Sequence, residues 1–173
     1  MSVSWLSRML AVAAKDELVL AQAKKNKLTI YGARAIQKRL GFLSRPTYDY
    51  DVSARHPQRE ARLLEKQLDR IAQGDLFFSR PSEFHKGTHK VIYAGWDNKR
   101  ETKDDVGIAD FSRTGKICSQ AIDGVRYACL SAVEKDKRKA LSSKEFAFRH
   151  KKDAEDLERI KIYKRTFGYR RRR

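Results

Sequence analysis

The sequence has few of the residues that would announce a chemistry by themselves. Its 173 residues include only two cysteines and four histidines. Neither Cys118 nor Cys129 has neighbours at zinc-ligand spacing, and the pair points to a reduced interior where both thiols act as small core residues. His56, His85, His89 and His150 make no ligand set, because Gly87 between His85 and His89 marks a solvated loop rather than one helix face. No apolar run approaches a membrane span. The opening, Met1 to Ala14, has one arginine and a short apolar stretch, too weak for a secretory signal, and Asp16 and Glu17 count against an organelle presequence. A cytoplasmic protein is expected. Internal repeats are absent, and the terminal arginines are the only low-complexity stretch.

Acidic residues are also scarce: 22 against 39 lysines and arginines, for a net charge of +17 and a pI of about 10.1. Residues 1–111 hold 20 basic and 14 acidic side chains, a net of +6, while residues 112–173 hold 19 and 8, a net of +11. The excess sits in the C-terminal third and ends in Tyr169-Arg170-Arg171-Arg172-Arg173. Such a field attracts polyanions, and each neutralised phosphate releases counterions. Nucleic acid is the partner this favours. RNA comes first because Tyr163 and Tyr169 interleave with Lys164, Arg165 and Arg170 to Arg173 and can stack on unpaired bases; His85 and His89 would be further contacts. A solubilising tail, an acidic protein partner and a membrane surface are the alternatives.

Within this basic chain, Thr47-Tyr48-Asp49-Tyr50-Asp51-Val52 sets two carboxylates one residue apart in an aromatic and β-branched run. In a strand, residues i and i+2 share a face. Asp49 and Asp51 would then disfavour each other's ionisation unless a cation neutralises them. Magnesium suits such a pair, since it takes one or two carboxylates plus substrate phosphates. Upstream, Lys27 to Tyr31 reads as a strand, Gly32-Ala33 as a turn, and Arg34 to Leu40 as a helix with Ala35, Ile36 and Leu40 inward and Gly41 as C-cap. A strand, a glycine turn and a helix N-terminus together offer backbone N–H groups to phosphate. Val106 to Phe111 is a further strand carrying Asp110, an acid in an apolar run that needs a cation or an arginine partner.

These residues resemble a known signature. Gly32-Ala33, the helix, Arg45 and Asp49-Tyr50-Asp51-Val52 are similar to the G-[GS] … R-x-x-D-h-D-h pattern (h, hydrophobic) of the DNA polymerase β-like nucleotidyltransferase superfamily. Ser131 to Lys135 and Arg149 to Leu157 resemble the E-K … R-x-K-D-x-x-D-L region of its AbiEii-type branch, which includes toxins of bacterial toxin–antitoxin systems. The likeness runs from about Leu28 to Leu157. Two features depart from it: Ala33 replaces the usual second Gly or Ser, and the segment between Asp51 and Asp110 is compact. The resemblance implies nucleotide transfer from an NTP to a hydroxyl acceptor, RNA by the charge, with two Mg²⁺ ions. Asp49 and Asp51 would hold both ions and Asp110 the catalytic one. Gly32 and Ala33 would seat the triphosphate, Arg45 or Lys135 would neutralise it, and Lys152 and Asp153 would close the rear of the site. A toxin paired with an antitoxin is one biological setting. The alternative is a nucleic-acid-binding structural protein, a virion or ribonucleoprotein component, that keeps the scaffold without the chemistry.

The remaining pattern completes an α/β architecture: a small mixed sheet with flanking helices in a nucleotidyltransferase fold, a helical C-terminal part and a basic tail. Trp5, Leu6, Met9, Leu10, Ala13, Leu18 and Ala21 suggest one or two N-terminal helices with a continuous apolar face. Pro57 to Ala72 reads as an amphipathic helix with Ala61, Leu64, Leu68 and Ile71 inward, ended by Gly74. Lys90 to Ala94 reads as a strand, and Ala121 to Leu141 and Lys144 to Tyr163 as helices. The implied units are N-terminal helices at 1–26, a core at 27–115, a helical part at 116–164 and a tail at 165–173.

Overall fold

The computed structural model describes residues 4–167. One mixed seven-stranded sheet organises the chain: β1 (Thr29–Tyr31), β2 (Tyr50–Ser53), β3 (Phe77–Pro81), β4 (Thr88–Tyr93), β5 (Val106–Ser112), β6 (Ser119–Ile122) and β7 (Val125–Ala128), in the order β3-β4-β5-β2-β1-β7-β6. Among the described residues five α-helices accompany it: α1 (Trp5–Lys25), α2 (Gly32–Leu40), α3 (Pro57–Ala72), α4 (Leu130–Leu141) and α5 (His150–Thr166). Parallel pairing joins β2 to β5 and β1 to β7, and the other neighbours are antiparallel.

Ladder register assigns the two faces. Ile30 pairs with Val52 and Tyr127, Val52 with Phe111, and Tyr50 and Val91 with Ala109. All seven are buried and belong to one apolar cluster with Leu64 and Leu68 of α3 and Ile36 of α2. Side chains alternate along a strand, so Tyr31, Asp51, Asp110, Ser112 and Lys90 fall on the other face. The helix-side core thus fixes which residues look the other way. Slipping β2 by one residue would turn Asp51 into the apolar packing.

The expected helix over 57–72 forms with those bounds, and Leu64 and Leu68 face the core. Its stop is one residue early: Gln73, not Gly74, adopts the left-handed cap at φ 55°. The N-terminal segment is one helix, and its expected apolar face is wrong. Trp5, Leu6, Met9 and Leu10 are exposed, whereas Arg8, Ala11, Val19 and Ala23 are buried. The reason lies in Arg8, whose guanidinium donates to Gly95 O at 2.9 Å and Asn98 Oδ1 at 2.6 Å and so fixes the helix's rotation.

Residues 121–128 are a hairpin rather than a helix. Asp123 and Gly124 both have positive φ, 53° and 80°, as a two-residue hairpin turn requires. The same hairpin corrects the thiol expectation. Cys118 and Cys129 flank it, with Cys129 N–H donating to Cys118 O, and a disulfide joins them at a Cα–Cα separation of 5.5 Å. Cys118 is exposed, so it is no core residue. A β3 strand that the sequence did not suggest precedes β4. The expected second C-terminal helix is broken at Phe146, with a 3-10 stretch over Lys144–Arg149 before α5.

Candidate active site

The polar face of the sheet floors a cavity of about 700 Å³. Asp51 on β2 and Asp110 on β5 are register partners on parallel strands, so both carboxylates enter it side by side. Asp49 lies in the bend before β2, also lines the cavity, and accepts from Thr47 Oγ1 at 3.1 Å. Arg34 holds that approach by donating to Tyr48 O and Asp49 O while stacking over the Tyr50 ring at 4.1 Å. Gly32 opens α2 at φ 62°, and a Cβ there would collide with Asp51 Oδ2. Glycine is therefore required twice over: for the left-handed backbone and for the carboxylate beside it. Tyr31, the residue before the helix, supplies no side-chain cap, so the first-turn N–H groups of α2 remain for a ligand.

Asp51 and Asp110, side by side in the cavity, are both raised in pKa. Burial raises Asp51 from its ordinary 3.8 to about 7, and Asp49 and then Asp110 add to the rise, against smaller opposing effects of Arg149 and Lys137. Asp110 is also raised by burial, although Lys90 opposes the rise through an ion pair of 3.2 Å. Tyr31 is raised as well, by burial and by Asp51. Among the described residues no three His, Cys, Asp or Glu side chains stand arranged to hold a metal ion. The donor chemistry still suits a hard divalent cation: oxygen ligands converge on one wall, and burial disfavours the charged form of Asp51 and Asp110, which a cation would restore.

The cavity's rear is cationic and locked. Lys137 Nζ contacts Asp153 Oδ1 at 2.7 Å and Asp156 Oδ2 at 2.8 Å, with all three residues almost wholly buried. Arg149 Nε reaches Asp153 at 2.8 Å, and Arg45 Nε reaches Asp156 at 2.9 Å. The resulting chain, Arg149–Asp153–Lys137–Asp156–Arg45, ties α4 and α5 to the segment leading into β2. His150 Nε2–H completes the joint by donating to Ala140 O and Ser143 O. Phe84, His85, Phe146 and Phe148 rim the opening, with His85 stacked on Phe146 at 5.6 Å.

No protein-family model matches the sequence. A search of characterised proteins finds no match either. Solved structures do match. The Megavirus polyadenylate synthase superposes with a TM-score of 0.65 at 12% identity, over 90% of this chain and 34% of its own. The present chain thus spans about a third of that enzyme's length. The antibiotic-resistance factor ANT(2'')-Ia matches at 0.50 and 15% identity over 91% of both chains. JHP933 from Helicobacter pylori matches at 0.50 and 14% over 96% of this chain and 69% of its own. The fold is that of the nucleotidyltransferases.

On that scaffold the residues singled out from the sequence separate into three groups. Gly32, Ala33, Arg45, Asp49, Asp51, Asp110, Lys152 and Asp153 line the one cavity. Lys135 does not: it is exposed on α4, and Lys137, two residues on, occupies the buried position. Arg45 and Asp153 are engaged with Asp156 and Lys137, so both position the site through α5. Lys164 is ion-paired to Glu134 at 2.6 Å, and Arg165 is exposed at the end of α5. Tyr169 and Arg170 to Arg173 lie outside the described residues. Sequence reasoning missed Lys90, Lys137 and the aromatic rim. A lysine falling on the inward face of α4 with Leu130, Val133 and Ala140 was the one available signal for Lys137.

Proposed function

We propose that this chain transfers a nucleotide from an NTP to a hydroxyl on RNA. One observation carries the proposal: Asp51 and Asp110 enter a single cavity as register partners, beside Asp49 and the open N-terminus of α2. The first-turn N–H groups of α2 at Gly32 and Ala33 receive the triphosphate, and Lys152 at the cationic rear neutralises it. Asp49 and Asp51 would hold two Mg²⁺ ions and Asp110 one of them. Bound there, the ions would offset charge on the attacking and leaving oxygens. Asp110, its pKa raised by burial, takes the proton of the attacking hydroxyl. Positioning and electrostatics supply most of the catalysis, because the charge that develops sits on phosphate oxygens.

The net charge of +17 favours a polyanionic acceptor over a small molecule. The fold is shared both with a polyadenylate synthase and with an antibiotic-resistance factor, and charge is what favours the former kind of acceptor here. Within the superfamily we assign the AbiEii-type branch. Support comes from Asp153 and Asp156 of the K-D-x-x-D-L stretch, which join Arg149, one residue upstream of the pattern's arginine position, in one network. A toxin setting with an antitoxin partner belongs to that assignment. The Lys90–Asp110 ion pair favours a second reading, a nucleic-acid-binding virion or ribonucleoprotein component whose third acid is structural. Incubation with each labelled NTP, Mg²⁺ and total RNA separates the two. Label entering RNA in wild type but not in Asp49→Asn/Asp51→Asn supports transfer, and no incorporation from any NTP refutes it.

A further inference from the structure

A second cavity, of about 460 Å³, lies where β4 begins and β5 ends. Strand alternation separates the two. Thr88, Ser112 and Thr114 line the carboxylate cavity, while Gly87, His89 and Arg113 line this one. Three of its eight lining residues are arginines. Arg55 and Arg59 flank the start of α3, Arg113 follows β5, all three are exposed, and no acid lines the cavity. Arg113 Nε donates to Arg55 O at 3.4 Å, which draws the two residues together. Nδ1 of His89, buried and without a hydrogen-bond partner, borders the same space.

Three other arginines pair with acids: Arg80 with Glu83, Arg100 with Asp75, and Arg159 with Glu155. Among the described residues Arg55, Arg59 and Arg113 have no acidic partner. Three positive groups held together uncompensated repel one another, and a shared anion relieves that repulsion. Guanidinium forks match phosphate oxygens bidentately, which point-charge lysines do not. The three arginines come from separate elements and stand open to solvent, which suits successive phosphates of a chain rather than one enclosed ion. Adjacent residues at the end of β5 line the two cavities in turn, Ser112 and Thr114 the first and Arg113 the second, so one strand can span both.

We propose that the Arg55–Arg59–Arg113 pocket binds backbone phosphates of the single-stranded nucleic acid on which the active site acts. For the identity of that strand the proposal rests on the transfer reading above. The test is binding of a short labelled single-stranded RNA to the full chain across a salt series, without NTP or Mg²⁺. The triple variant Arg55→Gln/Arg59→Gln/Arg113→Gln is compared with Arg62→Gln/Lys66→Gln/Arg70→Gln, which removes the same charge from exposed sites along α3.

The pocket triple is expected to lose roughly tenfold in affinity and about 2 in the slope of log K against log salt, at about 0.7 per lost phosphate contact. The control should change little in slope. Arg59→Glu guards against misfolding, since an acid in the first turn of α3 suits the helix dipole, and it should weaken binding too. Pocket variants that match the control in affinity and slope overturn the proposal. So does inorganic phosphate alone displacing the RNA at equal phosphate concentration, which would make this a small-anion site. Failure of the transfer reading looks different: wild type then incorporates no label while the pocket's effect on RNA binding persists.

Discussion

Asp51 carries the sharpest expectations at the scale of single residues. Burial, then Asp49 and Asp110, raise its carboxyl from 3.8 to about 7. The folded chain therefore holds that proton more tightly than the unfolded chain does. The resulting stabilisation is complete below about pH 4 and is lost as pH rises through about 7. In chelator, wild-type melting temperature should fall between pH 4 and 8 more steeply than that of Asp51→Asn, and equal slopes would refute the shift. Cation affinity should run the other way, rising through about pH 7 as Asp51 ionises. Asp49→Asn with Asp51→Asn should abolish Mg²⁺-dependent transfer yet leave apo stability unchanged or slightly higher, because mutually repelling charges are removed. A large loss of apo stability would instead indicate structural ion pairs. Gly32→Ala joins a left-handed backbone to a clash with Asp51 Oδ2. It should cost at least about 1–2 kcal/mol from the backbone alone, read in a denaturant titration, and weaken cation binding by displacing Asp51.

At the scale of elements, two joints hold the site's rear and edge. Lys137 sits between Asp153 and Asp156, and removing it takes a buried ion-pair partner from both acids, leaving each only its arginine at the outer side. Lys137→Met should destabilise by about 3–5 kcal/mol. Hydrogen exchange should show the loss first in α4 and α5, and a loss spread evenly over the sheet would contradict their role as a separately locked pair. The β6–β7 hairpin is closed by the Cys118–Cys129 disulfide. Clipping so short a segment contributes about 2–3 kcal/mol, so reductant should lower the melting temperature of wild type and leave Cys118→Ser/Cys129→Ser unmoved. An equal response in both proteins would exclude the bond as its source.

Across the whole molecule, the basic excess extends well beyond the site. The carboxylates are confined to one cavity on the polar face of the sheet, while basic groups dominate the sequence by 39 to 22. Binding and turnover should then separate. Deleting Tyr169 to Arg173 should weaken nucleic-acid binding and reduce its salt slope by about 0.7 per lost single-strand contact. Saturating turnover on a short acceptor should hardly change, because charge in the transition state is stabilised elsewhere. Affinity against salt and turnover at saturation, measured on both proteins, decide it. A collapse in saturating turnover would place the tail at the carboxylates.

The sequence by itself determined the β1–α2–β2 unit, the α3 helix and the strand that carries Asp110. In these segments local signals agree: period-2 alternation, helical spacing of Leu64 and Leu68, and glycines where φ is positive. Asp123-Gly124 was an equally legible hairpin signal, masked by the helical spacing that follows it from Leu130. Only the tertiary structure decided which acids and bases meet. That Asp51 stands opposite Asp110 depends on parallel register between strands more than fifty residues apart, which no local pattern encodes. The buried lysine is Lys137 rather than Lys135 because α5 brings Asp153 and Asp156 against that face of α4. Without those acids a lysine at an inward position would have to reach water. The rotation of α1 was likewise set by Arg8 finding the carbonyls of the loop after β4, which outweighed burial of Trp5 and Leu6. Polar partners distant in sequence made each of these choices, and hydrophobic periodicity carries no information about them.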